Sequence, residues 1–253
     1  MLRSEEEVIG INKKQRQVFD ELYYRFLEPQ PPDVLERLRR GVRAADLTPG
    51  DTVLDVGTGV GVLIPLIQPY RPGHIVVCDL SGRMLEQVAR LYPGVERHQC
   101  DVRDLKLPAA SIDVVFMNAV FGNLADKEGA MRNTVRMLRP GGRVVISHPE
   151  GRKFVEELSR SAPFPIEPYP SRQGFADLFS SVGLTLTHYE EEEKLILAIG
   201  TKPGMFSAKR KVMGALSANP LGGRQMLPKA KREYCAAWWL GGDLLAALCY
   251  SFL

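Results

Sequence analysis

Residues 53–61 read Val-Leu-Asp-Val-Gly-Thr-Gly-Val-Gly, and no other stretch limits the fold so tightly. An apolar run of this kind suits a strand buried on both faces of a parallel sheet. Gly57, Gly59 and Gly61 allow a tight turn and let a ligand lie against bare main chain. Val62 to Ile67 continue as an apolar segment, which predicts a helix over about 61–69 whose first amides face the ligand. Pro65 is tolerated there because it falls near the first turn. Strand, glycine loop and helix make a nucleotide-type pocket at the carboxyl end of a sheet. Asp55 selects among nucleotides, because a carboxylate at the strand end repels a pyrophosphate and attracts a cation. That attraction is about 4 kcal/mol for a unit-charge pair at 4 Å near a surface. A ligand carrying sulfonium and ammonium groups fits this position better than a nicotinamide dinucleotide.

The rest of the chain reads as alternating helices and strands. Helical spacing of Val18, Phe19, Leu22, Tyr23, Phe26 and Leu27 predicts a first helix over 12–27, and Pro31-Pro32-Asp33 opens a second to about Ala45. Strands are predicted at 52–57, His74–Asp79, 95–100, Ile112–Asn118 and Arg143–His148. Helices are predicted near 82–92, Lys127–Leu138, Lys153–Ser161 and Gln173–Ser181. Leu184–Tyr189 and Lys194–Thr201, joined by the acidic run Glu190 to Glu193, predict an antiparallel hairpin. The expected architecture is α/β: a doubly wound, seven-stranded, mostly parallel, Rossmann-like sheet with the hairpin at one edge.

Four predicted parallel strands each deliver a polar residue at the carboxyl end: Asp55, Asp79, Asp101 and Asn118. Ligands bind along that edge in open α/β sheets. A carboxylate at Asp79 can accept both ribose hydroxyls, and Asp101 lies one strand further out, where an adenine amine fits. Leu80 and Val102 are placed to sandwich the ring. Two plainer readings stay open: Asp79 capping the helix that Ser81 opens, and Asp101 as a solvated loop acid. His148, after the fifth strand and near Glu150, is the candidate general base, with shaping of the turn before Pro149 as its alternative. Tyr23, Tyr24, Phe121 and the loop from Phe164 to Tyr169 are candidate walls for an acceptor, or core.

Val53 to Gly61, Asp79 after an apolar strand, Cys100-Asp101-Val102 and Met137-Leu138-Arg139-Pro140-Gly141-Gly142 resemble class I S-adenosylmethionine-dependent methyltransferases. The style is that of the small-molecule enzymes similar to quinone-biosynthesis methyltransferases, with Phe19-Asp20-Glu21 resembling their opening helix. The resemblance covers about residues 12–203. It implies S-adenosyl-L-methionine as cofactor, held by the loop Gly57, Thr58, Gly59 and Gly61, with Asp55 near the ammonium group. It further implies Asp79 on the ribose, and Asp101 and the Val102 amide on the adenine. Asn118 marks the neighbourhood of the donor methyl. Asn118-Ala119-Val120-Phe121 departs from the pattern of enzymes methylating exocyclic base amines, so a nucleic-acid acceptor is not expected. The expected activity is in-line methyl transfer to a small-molecule or lipid-like acceptor. The alternatives are a non-catalytic cofactor-binding scaffold and a nicotinamide-dependent oxidoreductase, which wants a third glycine at 62, where Val62 stands.

Net charge separates the chain into two parts. Residues 204–253 hold seven Lys/Arg and two acids, so this stretch is +5 and residues 1–203 sum to −2. The expected division is a methyltransferase domain over 1–203, followed by a basic linker and an apolar tail over 204–253. Tyr234 to Leu253 is just long enough to span a bilayer, but Asp243 sits near its centre, so membrane contact is the less favoured reading. Scattered Cys78, Cys100, Cys235 and Cys249 read as reduced thiols, and with no signal-peptide pattern at the start a cytoplasmic location is expected. No cluster suggests a catalytic metal.

Overall fold

The structure, a computed structural model, describes residues 3–204. The expected apolar tail, and all of the basic linker beyond Gly204, lie outside the described residues. Helix α1, Glu5–Leu22, begins well before residue 12. The reason is a capping box: the Ser4 hydroxyl accepts from the Glu7 amide, the Glu7 carboxylate accepts from the Ser4 amide, and Glu5, Glu6 and Glu7 all favour a helix start. A 3-10 turn, Tyr23–Leu27, leads to α2, Pro32–Ala44.

Strands β1 (Thr52–Val56), β2 (His74–Asp79), β3 (Glu96–Gln99), β4 (Ile112–Asn118) and β5 (Leu138–His148) follow in turn. Between β1 and β2 the expected helix over 61–69 shrinks to α3, Ile64–Ile67, and a 3-10 turn at Gln68–Tyr70. Pro65 falls in the first turn, where its missing amide costs nothing, but Pro69 has no amide to bond the carbonyl one turn back and its ring crowds that carbonyl, so the α-helical ladder stops. No extended helix therefore directs its amides at the glycine loop. Helices α4 (Gly82–Leu91), α5 (Lys127–Met137) and α6 (Gly151–Ser159) follow β2, β4 and β5. Helix α7 (Arg172–Ser181) then leads to β6 (Thr185–Glu192) and β7 (Leu195–Thr201). Glu190 to Glu192 belong to β6 rather than to the hairpin connection, which turns at Glu193-Lys194.

The sheet has seven strands in the order β3-β2-β1-β4-β5-β7-β6. Pairing is parallel from β3 to β5, while β7 runs antiparallel to both β5 and β6. The doubly wound sheet with its hairpin edge is as the sequence predicts. Alternate residues of each strand face opposite layers. Leu54, Val115 and Ile146 pack with α1, α5, α6 and α7; Val53, Val114 and Val145 pack with α2, α3 and α4. The chain leaves β1 toward β2 and β3, then returns to build β4 and β5 on the other side. That reversal splays the connections apart over the β1–β4 boundary and opens a crevice at the carboxyl edge.

Candidate active site

An open cleft occupies that crevice. Its floor is the loop after β1. Gly57 has φ +65, and a Cβ there would lie 2.4 Å from Val120 Cγ2, so only glycine lets the β1 and β4 loops meet. Gly59 has φ +56 and donates its amide to Asp79 Oδ2 at 2.9 Å. Asp79 Oδ1 accepts from the Ser81 amide at 2.9 Å. Two main-chain donors thus fix one carboxylate at the end of β2 and tie it to the glycine loop. Burial pushes the Asp79 carboxyl up, while the amides of Ser81 and Gly59 oppose that shift.

The predicted residues divide by location. Gly57, Thr58, Gly59, Asp79, Leu80, Asp101, Val102 and Asn118 all line the cleft. Asp55 does not. It is buried beneath the loop, where its Oδ2 accepts from the Thr58 hydroxyl at 2.7 Å. Burial lifts its carboxyl to about 7, against the lowering effect of Thr58, so at neutral pH it carries only part of a charge. Its place under the floor shapes the loop; the carboxylates bordering the cleft are Asp79 and Asp101. Gly61, φ +87, also lies outside the lining, with its Cβ direction blocked by Ile64 and Tyr92.

His148 is corrected as a base. It is 3% exposed, stacked on Phe154 and edge-on to Tyr169, and it does not line the cleft. Its Nδ1 accepts from the Glu150 amide at 3.2 Å. The proton of the neutral ring therefore sits on Nε2, and no lone pair remains to take another. Burial lowers its pKa to about 3. The unfolded imidazole takes up a proton near its ordinary value, about 6.5, whereas the buried one does not. The stability tied to this group is therefore present at neutral pH and is lost as pH falls from about 6.5 toward 3. An NMR titration is expected to leave the His148 ring signals flat between about pH 5 and 8; an inflection in that range would return His148 to the candidate bases.

Other expected walls also move. Phe121 is fully buried, Phe164 and Tyr169 are buried, Tyr24 is 53% exposed, and Tyr23 packs at the margin of the core. The cleft is bordered instead by Asn12, Gln15, Phe19 and Phe26 from α1 and the turn after it, by Gln30 and Leu38, and by Pro149 after β5. Residues 12, 15 and 19 recur at the three- and four-residue steps that share one face of α1, so the signal is present as a phase. Asn118 is oriented by Ser147, whose hydroxyl donates to Asn118 Oδ1 at 2.9 Å and leaves the amide NH2 as the donor Asn118 offers. Cys78 and Cys100 also line the cleft, and burial holds both as protonated thiols, Cys100 at about 11.

Comparison with known proteins bears on this arrangement. The profile of a methyltransferase-domain family matches residues 54–146, from β1 to within β5. Trans-aconitate 2-methyltransferase of Azoarcus sp. is 30% identical over 190 residues, covering 68% of this chain and 72% of that protein. The chain belongs to the class I S-adenosylmethionine-dependent methyltransferases. S-Adenosylmethionine is accordingly the cofactor of this methyltransferase. The ubiquinone/menaquinone biosynthesis C-methyltransferase UbiE of Vibrio vulnificus is 28% identical over 106 residues, which span 39% of this chain and 41% of that enzyme. The fold is also that of a Burkholderia thailandensis 1,6-didemethyltoxoflavin-N1-methyltransferase. That structure superposes with TM-score 0.60 at 15% identity, over 80% of this chain and 92% of its own.

The cleft of this methyltransferase suits its cofactor chemically. It offers fixed carboxylates, bare glycine backbone and no Lys, Arg or His among the described lining residues, so nothing there repels a sulfonium. Among the described residues no group of His, Cys, Asp and Glu is placed to hold a metal ion, and no helix is long and apolar enough to cross a membrane.

Proposed function

We propose that this methyltransferase moves the methyl group of S-adenosylmethionine to a small, largely apolar, uncharged acceptor lying over the ends of β4 and β5. The observation that carries the reading is the division of the cleft. Asp79 and Asp101 stand at its β2–β3 side, whereas Ala119, Val120, Leu124 and Pro149 stand at its β4–β5 side. Adjacent strands lie about 4.8 Å apart, so the two groups belong to different ends of one long cleft. In this reading Asp79 holds the ribose, Asp101 and the Val102 amide hold the adenine, and the glycine loop carries the methionine part. Asn118 sits where donor and acceptor meet. Holding the acceptor atom collinear with the sulfur–methyl bond is worth about 7–11 kcal/mol, and the protein needs little else. The bond to sulfur breaks as the bond to the acceptor forms, and S-adenosylhomocysteine leaves neutral at sulfur.

The two curated relatives act on acceptors of opposite polarity, a tricarboxylate and a quinone precursor by their names. A polyanion would call for Arg or Lys in the lining, and the described residues supply none. The apolar end favours an acceptor of the second kind. The test is transfer of label from methyl-labelled S-adenosylmethionine by the purified full chain, supplied with a metabolite extract split into organic-soluble and anionic fractions. Label is expected in the organic-soluble fraction. Label confined to the anionic fraction would overturn the acceptor class, and calorimetric binding of NADH without S-adenosylmethionine would overturn the reading of the site.

A further inference from the structure

Asn12 projects from α1 into the margin of the cleft and donates from Nδ2 to Asp101 Oδ2 at 2.6 Å. The same Oδ2 accepts from Arg103 Nε at 3.2 Å, and Oδ1 accepts from the Arg103 amide at 2.9 Å. Each carboxylate oxygen has two lone-pair sites. Oδ2 is therefore filled, and Oδ1 keeps one site. The direction of the Asn12 bond also fixes its amide: the NH2 faces Asp101, so the carbonyl oxygen lies on the other side of the amide. The cleft stands open with α1 in place, so Asn12 frames the space rather than filling it.

We propose that Asn12 is a specificity-determining residue for the nucleoside, paired with Asp101 as a two-acceptor reader of an exocyclic purine amine. This rests on the cofactor placement proposed above. A primary amine on the ring has two N–H donors. One meets the remaining site of Asp101 Oδ1, and the other meets the Asn12 carbonyl. A 6-oxo purine presents an oxygen to the same two acceptors, and that arrangement is repulsive. The N-terminal helix thereby does more than roof the cleft: it contributes half of the recognition of the base.

The helix is also fastened by side chains other than Asn12. Arg3 donates to the Ala125 carbonyl at 2.7 Å and pairs with Glu167 at 2.8 Å, and Gln15 donates to the Asn123 carbonyl at 2.7 Å. Loosening of α1 can therefore be separated from loss of Asn12.

The experiment is calorimetric binding of S-adenosylhomocysteine and of S-inosylhomocysteine to the full chain, as wild type, Asn12→Ala and Arg3→Ala. The wild type is expected to prefer the adenosyl ligand strongly. Asn12→Ala should weaken the adenosyl ligand by about tenfold, the equivalent of one hydrogen bond, and leave the inosyl ligand within about twofold. Arg3→Ala should keep the wild-type ratio. Equal losses for both ligands in Asn12→Ala, or an unchanged adenosyl affinity, would overturn the proposal and leave Asn12 as a fastening of α1. A ratio that collapses equally in Arg3→Ala would overturn it as well. If the Asn12→Ala chain does not fold, Asn12→Leu keeps the bulk and removes the carbonyl acceptor; an intact adenosyl preference there would overturn the proposal. A wild type that binds neither ligand sinks the underlying cofactor placement, which no behaviour of Asn12→Ala alone could do.

Discussion

Asp79→Ala is expected to weaken S-adenosylhomocysteine binding by about 100-fold or more, measured by calorimetry. Both Asp79 oxygens already accept a main-chain amide, Gly59 on one and Ser81 on the other, each at 2.9 Å. Those bonds hold the carboxylate in a single orientation, and each oxygen keeps one lone-pair site for a ribose hydroxyl. A hydrogen bond to a charged group contributes about 1.5–3 kcal/mol. Losing two of them removes at least about 3 kcal/mol, which is the stated factor. The substitution also frees the Gly59 amide, so the floor of the cleft loses its tie to β2. Asp79→Asn separates these effects, since one of its two side-chain atoms can no longer accept. It is expected to fall between wild type and alanine. A dissociation constant unmoved in Asp79→Ala would remove this residue from the ribose and reduce it to a cap of the loop.

Phe121→Ala is expected to cost stability rather than affinity. The ring is fully buried in the 3-10 turn after β4, 5.8 Å from Tyr169 and 6.0 Å from Phe175 between centroids. The Lys127 ammonium sits 5.5 Å from its centre and also bonds the Leu124 carbonyl and Glu167. Removing a ring from such a site costs about 3–5 kcal/mol in lost transfer energy and cavity. For a chain of this size that lowers the thermal midpoint by roughly 6 to 20 °C. S-Adenosylhomocysteine affinity, measured well below the new midpoint, should stay within about threefold of wild type. A large loss of affinity with an unchanged midpoint would restore Phe121 to the wall of the cleft.

Much of this molecule is legible in the sequence because its central strands are buried on both faces. Val53, Leu54 and Val56, and Ile75 to Cys78, are apolar whatever surrounds them, and the polar residues that end the strands fall at the sheet edge. That is why Asp79, Asp101 and Asn118 reach the cleft. What escapes the sequence depends on packing at a distance. The segment 61–69 looks helical by apolar content, but the ladder stops at Pro69 and leaves one turn of it. Asp55 looks like a ligand because it ends a strand, yet β1 is central, and Thr58 folds back over it. His148 looks like a base until Glu150 occupies its only lone pair and Phe154 covers its face. Helical periodicity groups Phe19, Tyr23 and Phe26 on one face but does not say which of them borders a cleft, and it is Phe19 and Phe26 that do. The capping box at Ser4 and Glu7 would have given the earlier start of α1.

Both open margins of the sheet bear on how this protein meets copies of itself. β3 is Glu-Arg-His-Gln throughout, and β6 ends in consecutive glutamates with a register shift between Leu186 and His188. An unpaired margin is a template onto which another chain can hydrogen-bond. Here an incoming backbone would have to settle beside ionised side chains at one margin and follow an irregular ladder at the other. Among the described residues, both margins of the strand array thus disfavour the addition of a further strand.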